Sequence, residues 1–87
     1  MQVKFPVCSV IGVERFTSKR GTACGVLRWY ELMEGKVYRT MVFGDDVQML
    51  NGVESGMQCS VTLSVQPSRR DDTCEVYLDG VGSPDVQ

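Results

Sequence analysis

The sequence predicts an all-β domain of five strands, with one short helix between the third and the fourth strand. Apolar and polar residues alternate along several segments, which is the side-chain period of a half-buried strand. These segments are rich in β-branched and aromatic residues, and glycine-containing or charged turns separate them. The chain has 87 residues, a length that fits one domain with a modest core.

Short connections join the first three predicted strands. Apolar residues of one parity predict a long first strand over residues 3–16 with a single buried face. They are Val3, Phe5, Val7, Ile11 and Val13. A polar, cationic turn at 17–21 leads into a second strand at 22–33. Residues 34–36 are few enough for a hairpin into a third strand at 37–43.

A short helix is predicted after the third strand. Asp45 or Asp46 can serve as its N-cap, because a carboxylate there accepts hydrogen bonds from the free N–H groups of the first turn. Val47 and Leu50 then share one face of the helix. The Asn-Gly pair at 51–52 supplies a stop signal at its C-terminal end.

The last two strands are predicted at 58–66 and 74–81. Apolar residues alternate with polar ones throughout the first of these, which makes it the clearest half-buried strand of the chain. A charged turn at 67–73 connects the two strands. The domain therefore covers residues 1–82, and residues 83–87 are predicted to form a loose tail.

Three strands, a helix and two further strands form the order of an OB-fold. This fold is a partly open five-stranded Greek-key barrel, whose second and third strands bind oligonucleotides or oligosaccharides. The position of the helix distinguishes the OB-fold from an up-and-down sandwich, which does not need a helix there. The predicted fold class is therefore an all-β OB-fold.

Catalysis is not expected. The chain contains no histidine, so Ser-His, Cys-His and His-metal constellations cannot be built. Two carboxylate pairs remain, at 45–46 and 71–72. The first is explained by the helix cap and the second by a polar turn beside Arg69 and Arg70.

The four cysteines are predicted to be reduced, buried thiols. Each stands alone in an apolar segment, without a Cys-x-x-Cys pair. They are Cys8, Cys24, Cys59 and Cys74. A disulfide framework or a zinc site that gathers all four are the alternatives. We expect no metal and no other cofactor.

Cations are concentrated in the N-terminal half, although the formal net charge is −2. Between residues 14 and 39 six cations stand against three glutamates, whereas after Arg39 two arginines stand against eight acidic residues. The basic half is interleaved with aromatic residues. Such an asymmetry predicts a positive groove despite the acidic total.

The third predicted strand places Val37, Arg39, Met41 and Phe43 on one face. A guanidinium beside polarizable apolar groups suits a phosphate backbone with bases stacked next to it. The alternative is an ordinary sheet strand, in which the stem of Arg39 reaches out to water.

Residues 38–44, Tyr-Arg-Thr-Met-Val-Phe-Gly, resemble the third-strand signature of the bacterial single-stranded DNA-binding protein family. The resemblance implies that Arg39 and Phe43 lie on the DNA-facing side. The family's tryptophan upstream falls on Val37, so one stacking platform is replaced here. The size and the strand plan are also similar to the small single-stranded DNA-binding proteins of filamentous phages, which are OB-type dimers.

Together these features predict sequence-tolerant binding of single-stranded DNA in phage, plasmid or bacterial DNA replication, by a homodimer or larger homo-oligomer. Four cations are predicted to hold phosphates and three aromatic residues to stack on bases. They are Lys19, Arg20, Arg28 and Arg39, with Trp29, Tyr38 and Phe43. Trp29 and Tyr30 are adjacent, so only one of them faces the ligand. The chain shows no bilayer-spanning run and no signal segment, and we expect a cytoplasmic protein.

Two other functions remain open from the sequence. An OB barrel can use exposed aromatic residues to assemble a larger protein complex instead of binding DNA. An RNA-binding protein of cold-shock type is the second alternative, and it would carry more aromatic residues on its central strands.

Overall fold

The computed structural model describes residues 1–68 and 72–84, which form five antiparallel strands in one sheet with the order β3-β2-β1-β4-β5. The elements are β1 (Gln2–Thr17), β2 (Ala23–Glu31), β3 (Lys36–Phe43), the 3-10 helix η1 (Gly44–Leu50), β4 (Gln58–Pro67) and β5 (Cys74–Gly82). The two edge strands, β3 and β5, also contact each other. The all-β prediction with one short helix between the third and fourth strands is confirmed.

The long strand β1 is the centre of the sheet, because it pairs with β4 through its first half and with β2 through its second half. The pairing shifts register between Phe5 and Cys8 and again between Val10 and Gly12. A bulge inserts an extra residue and turns the following side chains to the other face. The single parity predicted for β1 is therefore wrong, and Cys8 and Val10 are buried while Ile11 is exposed.

Strand β2 ends at Glu31, two residues before its predicted end. The buried carboxylate of Glu31 accepts hydrogen bonds from the backbone N–H groups of Met33 and Glu34, each at 2.7 Å. These bonds bend the chain into the turn that leads to β3. Gly35 completes the turn with φ +70°, a conformation that glycine adopts without steric cost.

The helix η1 differs from the predicted one in its cap. Phe43 occupies the N-cap position and makes no side-chain capping bond, while Asp45 and Asp46 lie within the first turn. The prediction that either aspartate is the N-cap is wrong. Their negative charges still lie near the positive end of the helix. At the other end the fully buried Leu50 anchors the helix in the core.

A glycine on β2 allows η1 to reach the sheet. A Cβ atom built on Gly25 would lie 2.6 Å from Leu50 Cδ1 and 3.1 Å from Val42 Cγ2. Any side chain at this position would force Leu50 or Val42 to move. The glycine is therefore required by packing, since its φ is not positive.

An aromatic cluster fills one part of the core. Trp29 stacks on Tyr38 with ring centroids 4.6 Å apart, and Phe5 lies 5.1 Å from Trp29 and 5.5 Å from Tyr38. The Trp29 indole N–H donates a hydrogen bond to Thr40 Oγ1 at 3.1 Å. This bond satisfies the polar atom of a side chain that is completely buried.

Two cysteines oppose each other in the core. Cys8 on β1 is the direct partner of Cys59 on β4, and both are completely buried. Burial, reinforced by the neighbouring Cys59 and Glu31, raises the pKa of the Cys8 thiol to about 11. All four cysteines are free thiols, but Cys74 is exposed, so the prediction of burial is wrong for that residue.

Part of the predicted organisation lies outside the described residues. This applies to Arg69, Arg70 and Asp71 in the turn after β4 and to residues 85–87 of the tail. No helix in the described part of the chain is long and apolar enough to cross a membrane. Residues 1–68 and 72–84 also contain no group of three or more histidine, cysteine, aspartate or glutamate side chains that could hold a metal ion.

The buried Cys8 thiol predicts a loss of stability at alkaline pH. Its pKa is 9.0 as an ordinary thiol and about 11 in the fold, so ionisation favours the unfolded chain. The contribution is fully present below pH 9 and is lost as the pH rises towards about 11. Denaturant unfolding at pH 7 and pH 10.5 should show a smaller alkaline loss for Cys8→Ala than for the wild type. The exposed-site control Cys74→Ala should keep the wild-type loss, and equal losses in all three proteins would contradict the assignment to Cys8.

Candidate functional site

The candidate site is the side of β1, β2 and β3 that lies opposite the buried ring of Trp29, called the outer face below. Residues directly opposite in antiparallel strands lie on the same side of a sheet, so the strand pairing defines this face. It comprises Gly12, Glu14 and Phe16 of β1, Cys24, Val26, Arg28 and Tyr30 of β2, and Val37, Arg39, Met41 and Phe43 of β3.

An apolar row crosses the three strands at one end of the outer face. Phe16 pairs with Cys24, and Cys24 pairs with Phe43. The two phenylalanines are 47% and 53% exposed, whereas Cys24 between them is 3% exposed. The row therefore presents two aromatic side chains to solvent on either side of a small, covered residue.

A cationic row crosses the same face further along the strands. Arg28 and Arg39 are direct cross-strand partners, and both are exposed. Within residues 1–68 and 72–84, no hydrogen bond or ion pair from a side chain neutralises either guanidinium. Like charges placed directly opposite each other in a sheet are destabilising. This arrangement needs an explanation outside the folding of the chain.

The guanidinium of Arg28 lies over the neighbouring strand β1. A Cβ atom built on Gly12, the β1 partner of Arg28, would lie 3.0 Å from one terminal nitrogen of Arg28 and 3.8 Å from its Cζ and Nε atoms. The charge therefore stands above the backbone of β1, on the side of β2 remote from Arg39. The space that it occupies exists because residue 12 has no side chain.

The turn between β1 and β2 adds two cations beside the aromatic row. Ser18 closes it, since its N–H donates to Thr22 O at 2.8 Å and its Oγ accepts from Thr22 N–H at 3.1 Å. Lys19 and Arg20 are exposed at its tip, and in the described part of the chain they form neither an ion pair nor a side-chain hydrogen bond.

Two other cations in the described part of the chain have structural partners. Arg15 points towards η1, where it donates hydrogen bonds to Leu50 O at 2.9 Å and to Asn51 Oδ1 at 3.3 Å. Lys36 forms an ion pair with Glu34 at 3.4 Å. Arg15 and Lys36 therefore interact within the fold. The cations of the cationic row and of the turn between β1 and β2 remain available to a ligand.

Two of the seven predicted site residues lie neither on the outer face nor in its adjoining turn. Trp29 is completely buried in the aromatic cluster, so it cannot offer a stacking surface to a base in this fold. Tyr38 is half-buried on the same inner side and stacks on Trp29. Of the adjacent pair Trp29 and Tyr30, Tyr30 is the one on the outer face. The remaining five predicted residues are brought together on the outer face and its adjoining turn.

Phe16 lies on the outer face, although the sequence-based prediction does not include it in the site. Its parity is opposite to that of the partly buried Val13 in the same stretch of β1, and this signal was present in the sequence. Gly12 was also missed, because the approach of Arg28 is a tertiary contact. One acidic residue, Glu14, shares the outer face with them.

Comparison of the chain with protein-family models, with curated proteins and with solved structures finds no match.

Replacing one arginine of the cationic row should not destabilise the fold. Arg39→Gln removes one of two like charges carried by directly opposite residues, so the free energy of unfolding should rise or stay unchanged at low salt. The difference should vanish near 1 M salt, where the screening length is about 3 Å. Lys36→Gln is the matched control, because it removes an attraction and should lower stability slightly or not at all. A clear loss of stability in Arg39→Gln, measured by denaturant unfolding, would show that the arginine supports the fold instead.

Proposed function

We propose that the protein is an OB-fold single-stranded DNA-binding protein that acts in phage, plasmid or bacterial DNA replication with little sequence preference. The observation that carries this proposal is the unneutralised pair Arg28 and Arg39 on the same face as the exposed rings of Phe16 and Phe43. Single-stranded nucleic acid offers a partner to the arginines and to the rings, since every nucleotide carries a phosphate charge and every base has a π-face.

The connectivity supports an OB barrel. A three-stranded meander, a helix after the third strand and a fourth strand paired with the first are the connections of that fold. The contact between β3 and β5 brings the sheet edges together, as closure requires. In OB-folds the second and third strands and the adjoining loops bind oligonucleotides, and the outer face uses these same strands.

Binding would combine phosphate neutralisation with base stacking. Arg28, Arg39, Lys19 and Arg20 would hold phosphates, and neutralisation releases the counterions condensed on the nucleic acid. Phe16 and Phe43 would each stack on a base, a contact of about 1–3 kcal/mol. Neither interaction reads the base edges, so the binding would tolerate any sequence.

The net charge of −2 is compatible with this proposal because most acidic residues in the described part of the chain lie outside the outer face. Asp45 and Asp46 are on η1, and Glu75 and Asp79 are on β5. Glu14 is the one carboxylate on the outer face. The local charge of the face is therefore positive, and local charge governs attraction within a screening length of about 10 Å.

A homodimer or larger homo-oligomer is part of the proposal. Several exposed apolar side chains lie away from the outer face, among them Met33, which is 79% exposed, and Val76, which is 52% exposed. They leave apolar surface for a second copy while the outer face stays free for DNA. Sedimentation equilibrium across a range of protein concentrations measures this directly.

The protein should bind single-stranded DNA more tightly than duplex, because stacking needs unpaired bases. Affinity should fall as salt rises, with a slope of about −0.7 per phosphate contact in a plot of log K against log salt. The anisotropy of labelled oligo-dT, measured at two salt concentrations, gives the salt dependence. Competition by an unlabelled hairpin duplex and by unlabelled oligo-U gives the relative affinities. The label belongs on the DNA, since the single tryptophan is buried. Equal affinity for single strand and duplex, or none for either at low salt, would refute the proposal, while preference for oligo-U would indicate RNA.

Two neighbours on β3 should separate binding from folding. Phe43→Ala should weaken DNA binding with little effect on thermal stability, because the ring is about half exposed. Val42→Ala should cost roughly 1–3 kcal/mol of stability and leave binding per folded molecule unchanged, because Val42 belongs to the core. Thermal melts and titrations of both variants test this. The reverse outcome would mean that the faces of β3 are exchanged.

A further inference from the structure

We propose that Gly12 is a positioning residue of the DNA interface, which keeps the Arg28 guanidinium over β1, where it contacts a phosphate of the bound strand. This inference rests on the proposed function and extends it to a strand that has no cation of its own on the outer face. The ligand recognised at this point is a phosphodiester group.

The backbone conformation does not explain the glycine at position 12. Its φ is not positive, so other residues can adopt the same conformation. A glycine within a strand weakens that strand and often marks a bulge or the close approach of another group, and Gly12 directly follows a register shift of β1. The approaching group here is the Arg28 guanidinium, whose terminal nitrogen lies 3.0 Å from the position of a Cβ atom on residue 12.

The position of the guanidinium leaves it available to a ligand. Glu14 lies on the same strand and the same face as Gly12, yet within the described residues no ion pair joins it to Arg28. The charge stands over a bare stretch of backbone instead. Arg39 rises from β3 on the other side of β2. Together the two arginines extend positive charge across three strands, which is the arrangement needed to follow a phosphate chain over the sheet.

A single methyl group at position 12 should disturb this arrangement without straining the backbone. In Gly12→Ala the new Cβ atom meets the flexible end of Arg28 at 3.0 Å, so the guanidinium must shift by a few tenths of an ångström. The matched control is Gly80→Ala, a glycine on β5 whose Cβ atom would have no neighbour within 4 Å and whose φ is also not positive.

The test compares oligo-dT binding by the wild type, Gly12→Ala, Arg28→Ala, the double variant and Gly80→Ala over a series of salt concentrations. Gly12→Ala should weaken binding about three- to tenfold, and its salt slope should fall by up to about 0.7, the value for one phosphate contact on a single strand. The double variant should bind like Arg28→Ala, because the glycine acts only through the arginine. Gly80→Ala should bind like the wild type.

Failure of this inference is distinguishable from failure of the proposed function. If Arg28→Ala weakens binding while Gly12→Ala binds like the wild type with an unchanged slope, the positioning role is overturned and DNA binding stands. An additive loss in the double variant also overturns it, because the two residues then act independently. If the wild type itself does not bind oligo-dT, both proposals fail.

A second measurement uses the folded wild type and does not depend on the stability of Gly12→Ala. Titration with inorganic phosphate, followed by the ¹⁵N resonances of arginine side chains, should shift the Arg28 Nε–H signal more than that of Arg15, whose guanidinium is already bonded to η1. An Arg28 signal that responds no more than the Arg15 signal would overturn the proposed phosphate contact.

Discussion

The burial of Trp29 against Phe5 and Tyr38 is the constraint on which the β2–β3 hairpin depends. The indole fills the core and its N–H group is bonded to Thr40, so β2 cannot rotate or slip without exposing a large apolar ring and leaving a polar atom unpaired. Because successive side chains alternate, this one placement sends Arg28 and Tyr30 outward. The pairing with β3 then sets Arg39 and Phe43 on the same side. The composition of the outer face thus follows from the packing of a residue that is not part of it.

Alternation predicted the strands well where each strand stays regular. In β4 the residues Cys59, Val61 and Leu63 are buried as their alternation indicates, because the extra residues at its two register shifts lie on the neighbouring strands β1 and β5. In β1 the same reasoning gave the wrong face for Ile11, since two bulges shift the register. Pro6 lies within the first bulge and Gly12 borders the second, and both residue types mark bulges in strands. Bulges arise from the need of one strand to pair with two neighbours in different directions, which is a tertiary requirement.

The site residues also divide into those that the local sequence indicates and those that tertiary contacts decide. The basic segment and its arginines were identified from composition and from the family resemblance, and the structure places Arg28 and Arg39 on one face of the sheet. The choice between Trp29 and Tyr30 could not be made from adjacent positions of similar character, because it depends on which ring has a hydrogen-bond partner inside. The helix cap was misassigned for a related reason: the chain enters η1 through the positive-φ glycine Gly44, so the aspartates follow the cap position. In all these cases the deciding contact joins residues distant in sequence or depends on a backbone conformation that the residue type does not specify.

The distribution of the thiols has a practical consequence for chemical modification. A thiol reacts with maleimides and with peroxide as the thiolate, and burial raises the pKa of both Cys8 and Cys59. At neutral pH these two are protonated as well as inaccessible, and Cys24 is covered by its surroundings. Cys74, exposed at the start of β5, is therefore the residue through which the native chain is conjugated. A fluorophore or a solid support can be attached at a single defined point without substituting any of the other three cysteines.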